Sequence, residues 1–261
     1  MNIFGQRSSY SGFNIVPGFY GTVKVLVVVN VVIFVLLSLF NSTNWIALFG
    51  LIPSAVFFKF RIWQLVTYLF IHAGLWHLVL NMLMLWMFGS VIENIWGSKR
   101  FLQYYFFTGI GAGLCSVLFS FGSPYPIVGA SGAIFGLLVA YALMFPDNII
   151  LLFFIFPMKM KHAAIVLAVI NLLGALSSSG SGIAYIAHLG GGVLGYLYLK
   201  SEALKFKMAA FSPFGIKKQR EIADLDHQVD NILDKISREG MDSLSAKEKK
   251  ILEIKSKKDS V

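Results

Sequence analysis

Six apolar runs dictate what this chain can become. They cover about 22–40, 75–94, 100–120, 130–146, 161–178 and 183–200, each close to the ~20 residues a helix needs to cross a bilayer. In hydrocarbon every backbone N–H and C=O must be satisfied within the segment, so such runs are spanning helices. Only 13% of the residues are charged, about half the fraction of a soluble domain. The run from Val23 to Phe40 has no small-residue cleavage site behind it. It is expected to stay as a helix rather than leave as a signal peptide. Cys115, the single cysteine, cannot form an intramolecular disulfide and reads as a small buried hydrophobe.

The formal charge of +9 is unevenly placed. Residues 1–200 hold nine Lys/Arg against two Asp/Glu, and residues 201–261 hold thirteen against eleven. A basic balance can mark a nucleic-acid binder, but these cations lie between apolar runs, which is the pattern of membrane orientation. No nucleic-acid partner is expected; the lipid bilayer is. Arg7 and Lys24, Lys99 and Arg100, Lys159 and Lys161, then Lys200, Lys205 and Lys207 occupy alternate loops. By the positive-inside rule that side is cytoplasmic and both termini lie inside. The opposite loops, 121–129 and 178–183, carry no charge; Lys59 and Arg61 are the exceptions. The first loop, about 41–74, is too aromatic to be freely solvated and is expected at the membrane interface. Residues 148–158 read as the end of the fourth helix plus a membrane-hugging connection.

Three regions follow: a cytosolic N-terminal segment (1–21), a six-helix membrane domain (22–201) and a charged cytosolic helical tail (202–261). In the tail, Ile232, Leu233 and Ile236 are expected to share a helix face, Gly240 to break that helix, and Ser245 with Glu248 to open a second one as a capping box. The expected fold class is an all-α polytopic membrane protein.

Polar side chains inside apolar spans are costly and tend to be functional. Span two carries His77 and Asn81, one turn apart on one face. Span four opens with Gly129-Ala130-Ser131-Gly132, span six holds His188, and span two ends near Glu93. Spans two, four and six all enter from the non-cytoplasmic side, so these groups converge on the outer part of the membrane. A serine needs a base to become a nucleophile, and histidine is the usual one. Gly132 and Gly136, and Gly191 and Gly195, form two small-xxx-small faces that let helices approach closely. The Ser131 N–H sits at a helix start, where free donors and the dipole favour an anion. His77 and Asn81 can add donors to a developing oxyanion.

The stretches FIHAGLWHLVLNM (70–82), GSVIENIWGSKRFLQYY (89–105), VGASGAIFG (128–136) and AHLGGGVLG (187–195) together resemble the bacterial type of the rhomboid family of intramembrane serine proteases. The resemblance covers roughly residues 20–200 and implies a six-transmembrane-helix rhomboid-like bundle. It implies Ser131 as nucleophile and His188 as base, in a dyad without an acidic third member. It implies His77, Asn81 and the Ser131 amide as the oxyanion site, and Gly129, Gly132, Gly191, Gly195 and Glu93 as structural support. His72 aligns with a family histidine outside the pair. Two positions depart from the family pattern. Trp63-Gln64 stands where Trp-Arg is common, and Phe135 where a tyrosine packs under the histidine.

The expected function is therefore endopeptidase cleavage of single-span membrane substrates near their extracytoplasmic end, in a bacterial inner membrane. The alternative is a non-catalytic membrane-protein binder or chaperone on the same scaffold, whose members usually lose the serine or the histidine. A transporter would need paired broken helices and midplane charges, which are not evident. There is no HExxH, P-loop or cysteine cluster, so no metal or other cofactor is expected. His162 and His227 are given no role.

Overall fold

The computed structural model describes residues 21–39, 44–152, 155–176, 182–210 and 213–259. The N-terminal segment 1–20 therefore lies outside the described residues. The chain divides into two compact units, residues 1–200 and 201–261.

In the first unit, α1 (Gly21–Leu39) is an uninterrupted β-branched apolar helix. The short helices α2 (Asn44–Phe49), α3 (Pro53–Lys59) and α4 (Gln64–Thr67) fold the first loop, and a 3-10 turn (Tyr68–Phe70) closes it. Next, α5 (Leu75–Met84) continues through one wide π turn, Leu85–Gly89, into α6 (Ser90–Trp96). α7 spans Ser98–Phe119 and α8 spans Ser131–Met144. A hairpin, β1 (Ile149–Leu152) and β2 (Phe156–Lys159), leads to α9 (Met160–Leu176) and α10 (Gly182–Ala210), whose residues after Lys200 belong to the second unit. In the second unit lie α11 (Pro213–Glu239) and α12 (Ala246–Asp259).

Among the described residues, three helices are long and apolar enough to cross a membrane: Gly21–Leu39, Leu75–Trp96 and Ser98–Phe119. Ser131–Met144 and Met160–Leu176 are shorter apolar helices. The protein is thus a mostly helical, multi-pass integral membrane protein. Its exposed side chains agree. Val25, Val28, Val32 and Leu36 of α1 and Ile165, Val169, Leu172 and Leu173 of α9 face outward, an apolar surface suited to lipid.

The reading of 148–158 as the end of the fourth helix plus a membrane-hugging connection is corrected in its helical part. α8 stops at Met144 because Pro146 disfavours helical backbone at the residue before it. The following residues then pair as antiparallel strands, Ile149 opposite Lys159 through Leu152 opposite Phe156. Asp147 accepts from both Lys159 Nζ (3.1 Å) and Lys161 Nζ (2.9 Å), closing the open end of the hairpin.

The first loop is tied down by its own polar residues. The last carbonyls of α2 have no acceptor role inside the helix, and side chains from 61–67 donate to them. Arg61 reaches the Ala47 carbonyl (2.9 Å) and Trp63 Nε1 the Leu48 carbonyl (2.9 Å). Thr67 Oγ1 reaches the Phe49 carbonyl (2.7 Å). Gln64 is fully buried. Its Nε2 donates to Ala47 and Leu48 carbonyls (both 3.2 Å) while its Oε1 accepts from the Ile52 N–H (3.1 Å). A neutral amide thus anchors the loop where the family often has arginine. Leu51 and Ile127 exchange backbone hydrogen bonds (2.9 and 2.8 Å), which joins this loop to the strand-like segment leading into α8.

At the other end of the bundle, Glu93 closes the start of α1. Its carboxylate accepts from the Thr22 N–H (2.7 Å), the Val23 N–H (2.9 Å) and the Ser98 hydroxyl. A carboxylate at a helix N-terminus satisfies free donors and complements the dipole.

In the second unit, Gly240 ends α11 with a positive φ of 80°. Ser245 and Glu248 then open α12 by a reciprocal exchange: the Ser245 N–H donates to Glu248 Oε2 (2.7 Å) and the Glu248 N–H to Ser245 Oγ (3.3 Å). Ile232 and Leu244 are buried, but Leu233 is exposed. The expected three-residue apolar face is therefore narrower than its spacing predicts.

Candidate active site

Three helix starts meet in the first unit. His77 lies in the first turn of α5, Ser131 is the first residue of α8, and His188 lies in the second turn of α10. Glycine contacts bring α8 and α10 together. A Cβ on Gly191 would overlap the Gly132 carbonyl oxygen, and one on Gly195 would lie 3.2 Å from Gly136 Cα. The two small-residue faces therefore touch backbone to backbone, which large side chains would prevent. α7 packs against α8 as well, where a Cβ on Gly132 would come within 2.6 Å of the Ala112 Cβ.

This close approach sets the central geometry. His188 Nε2 lies 2.7 Å from Ser131 Oγ, within the range of a strong O–H···N bond. Phe135, one turn after Ser131, stacks on the His188 ring with centroids 4.6 Å apart and 5° between planes. Tyr185 meets the same ring edge-on at 6.4 Å. The imidazole is held on a face, an edge and a nitrogen.

His77 and Asn81 stand beside the approach to Ser131. Gly129 has a φ of +113°, and a Cβ there would lie 2.7 Å from His77 Nε2 and 3.9 Å from Asn81 Nδ2. Glycine is needed for both the conformation and the space. The Gly129 N–H donates to the Tyr68 carbonyl (2.9 Å), which fixes the loop ahead of the serine. His77 Nδ1 accepts from the Ala73 N–H (3.4 Å), so its proton resides on Nε2, the nitrogen facing Gly129. Asn81 Nδ2 gives one hydrogen to the His77 carbonyl (2.7 Å) and keeps a second for another acceptor. The Ser131 N–H, at the first helical position, has no acceptor within the helix. His77 Nε2 and Asn81 Nδ2 thus both lie beside Gly129, two residues ahead of the serine.

His72 is buried, and its ring meets His77 edge-on at 5.1 Å. No group of three or more His, Cys, Asp or Glu suited to a metal exists among the described residues.

One residue at this site escapes the sequence reading. Asn171 of α9 is buried, and its Oδ1 lies 2.8 Å from His188 Nδ1. The available signal was a lone amide in an otherwise apolar span.

The Rhomboid domain model matches residues 59–201. A family of unknown function, DUF6576, matches residues 217–258. The chain is 40% identical to "Rhomboid protease GluP" of Bacillus subtilis over 100 residues, 38% of this chain and 19% of that protein. It is 38% identical to "Rhomboid protein 1, mitochondrial" of Saccharomyces cerevisiae over 135 residues, 49% of this chain and 38% of that one. It is 30% identical to "Putative rhomboid protease YdcA" of Bacillus subtilis over 150 residues, 55% of this chain and 71% of the relative. With more than half of its length in the domain match, this chain belongs to the rhomboid family. The first two of these relatives are much longer than the stretch they share with it.

Proposed function

We propose that this protein is a serine-type intramembrane endopeptidase, with Ser131 as nucleophile and His188 as general base. The 2.7 Å contact between Ser131 Oγ and His188 Nε2 carries the reading. The substrate class is single-span membrane proteins, cut near their extracytoplasmic end. The setting is a six-helix bundle in a bacterial inner membrane, with both termini and the 202–261 tail in the cytoplasm.

The chemistry follows from the residues. His188 Nε2 takes the Ser131 proton as Oγ attacks a peptide carbonyl carbon. The carbonyl oxygen gains negative charge, which the Ser131 N–H, His77 Nε2–H and the free Asn81 N–H stabilise. Collapse breaks the C–N bond, and the imidazolium returns its proton to the leaving amine. Water, activated by the same histidine, hydrolyses the acyl-serine and regenerates the enzyme. A helical substrate hides its carbonyls in its own hydrogen bonds, so it must unwind locally before attack.

Activity-based labelling tests the reading. Detergent-solubilised wild type should react with a fluorophosphonate probe, and Ser131→Ala should not. A folded wild type that fails to label, and fails to cut a transmembrane substrate in vesicles, would favour the non-catalytic binder.

A further inference from the structure

The buried amide of Asn171 sits where it can decide which nitrogen of His188 carries the proton. Asn171 Nδ2 donates to the Leu167 carbonyl one turn earlier in α9 (2.7 Å). That bond orients the side chain and turns Oδ1, an acceptor only, towards His188 Nδ1 at 2.8 Å. An acceptor at Nδ1 requires Nδ1–H, and this leaves the Nε2 lone pair free to accept from Ser131. The opposite tautomer would set a lone pair against Oδ1 and a proton against the serine hydroxyl. Helix packing holds the pair in register. Asn171 and Gly174 are three apart on α9, and Tyr185 and His188 are three apart on α10. A Cβ on Gly174 would lie 2.6 Å from the Tyr185 ring. The two i,i+3 pairs therefore face each other.

Resting on the proposed Ser131–His188 chemistry, we propose that Asn171 is a positioning residue that locks His188 in its Nδ1–H tautomer and steadies the imidazolium formed during turnover. It acts through a neutral dipole. A carboxylate would do the same work electrostatically but is far costlier to place within a membrane span. Among the described residues, the other titratable side chains facing the ring are His77 of α5 and Tyr185 on α10 itself, beside the Ser131 hydroxyl of α8.

The test uses the full chain in nanodiscs: wild type, Asn171→Leu, Asn171→Asp and Ser131→Ala. Turnover of a transmembrane substrate is measured, together with nitrogen-15 spectra of labelled histidine, assigned against His188→Ala. Asn171→Leu should lower kcat roughly 10- to 100-fold with KM nearly unchanged, less than the loss of a whole general base. Its His188 signal should become a mixture of tautomers. Asn171→Asp should recover much of kcat and move the acid limb of the pH–rate profile upward, because a negative neighbour stabilises the imidazolium. Wild-type turnover and a single Nδ1–H tautomer in Asn171→Leu would overturn the proposal. So would a loss of kcat with the tautomer unchanged and no recovery in Asn171→Asp. If Ser131→Ala cleaves like wild type, the proposed function fails, while the tautomer readout still decides whether Asn171 holds His188.

Discussion

Phe135 lies flat against His188, with ring centroids 4.6 Å apart and planes 5° from parallel. The stack fixes the ring plane, while the Ser131 contact uses one ring nitrogen. A phenyl face does this as well as a phenol. Phe135→Tyr is therefore expected to keep kcat within about twofold. Phe135→Ala frees the ring to rotate and loses an aromatic contact worth ~0.5–1.5 kcal/mol, so kcat should fall about tenfold. Steady-state cleavage of a transmembrane substrate checks both. Equal rates for wild type and Phe135→Ala would remove the stack from the mechanism.

The glycines of α10 separate a tight contact from a loose one. A Cβ at Gly191 collides with the Gly132 carbonyl, which is backbone and cannot swing away. A Cβ at Gly192 meets only Val139 Cγ2 at 3.5 Å, an ordinary contact. Gly191→Ala should destabilise the fold by ~1–3 kcal/mol as an overpacked core position and should move His188 away from Ser131. Gly192→Ala should be close to neutral. Thermal unfolding in detergent, read alongside probe labelling, distinguishes the two, and equal melting temperatures would contradict the α8–α10 contact described above.

The meeting of Ser131 with His188 was legible before any coordinates. By the positive-inside rule, lysines and arginines alone give each span an expected direction, and that direction puts both residues at one end of the bundle. Asn171 was not legible, because its meaning lies in distance. Seventeen residues of sequence separate it from His188, and only the α9–α10 packing joins them. The β1–β2 hairpin was hidden for a different reason. Ile149–Leu152 is uniformly apolar, so neither a period of two nor of 3.6 stands out. Gln64 stands out in the sequence as a departure, yet its role depends on α2, whose carbonyls it holds. Six residues, Asn44 and five apolar ones, are too few to announce a helix on their own.

Gln64 serves three backbone groups at once, the Ile52 N–H and the Ala47 and Leu48 carbonyls. Gln64→Leu keeps the volume and leaves these buried groups with fewer partners, at ~1–3 kcal/mol for such a loss. The variant should melt lower and expose 44–67 to faster hydrogen exchange. Exchange should change little in α7, which makes none of these bonds. Wild-type protection across the first loop would show that Arg61, Trp63 and Thr67 hold it unaided.

The Ser245–Glu248 box makes a prediction about acid. The Ser245 hydroxyl and N–H, with the Lys235 ammonium next, hold the Glu248 carboxyl down at about 2, against an ordinary 4.5. A carboxyl that is more acidic in the folded state stabilises that state above its unfolded value and loses the contribution as pH falls through its folded one. The start of α12 should therefore be fully capped above about pH 4.5 and loosen progressively between there and about pH 2. The carboxyl carbon shift of Glu248, followed by NMR in the full chain, should titrate near the lower figure. Ser245→Ala should return that midpoint most of the way towards 4.5, whereas Lys235→Met should move it less, since the serine supplies the larger share. A wild-type midpoint already at the ordinary value would mean that the exchange of bonds between Ser245 and Glu248 does not persist in solution.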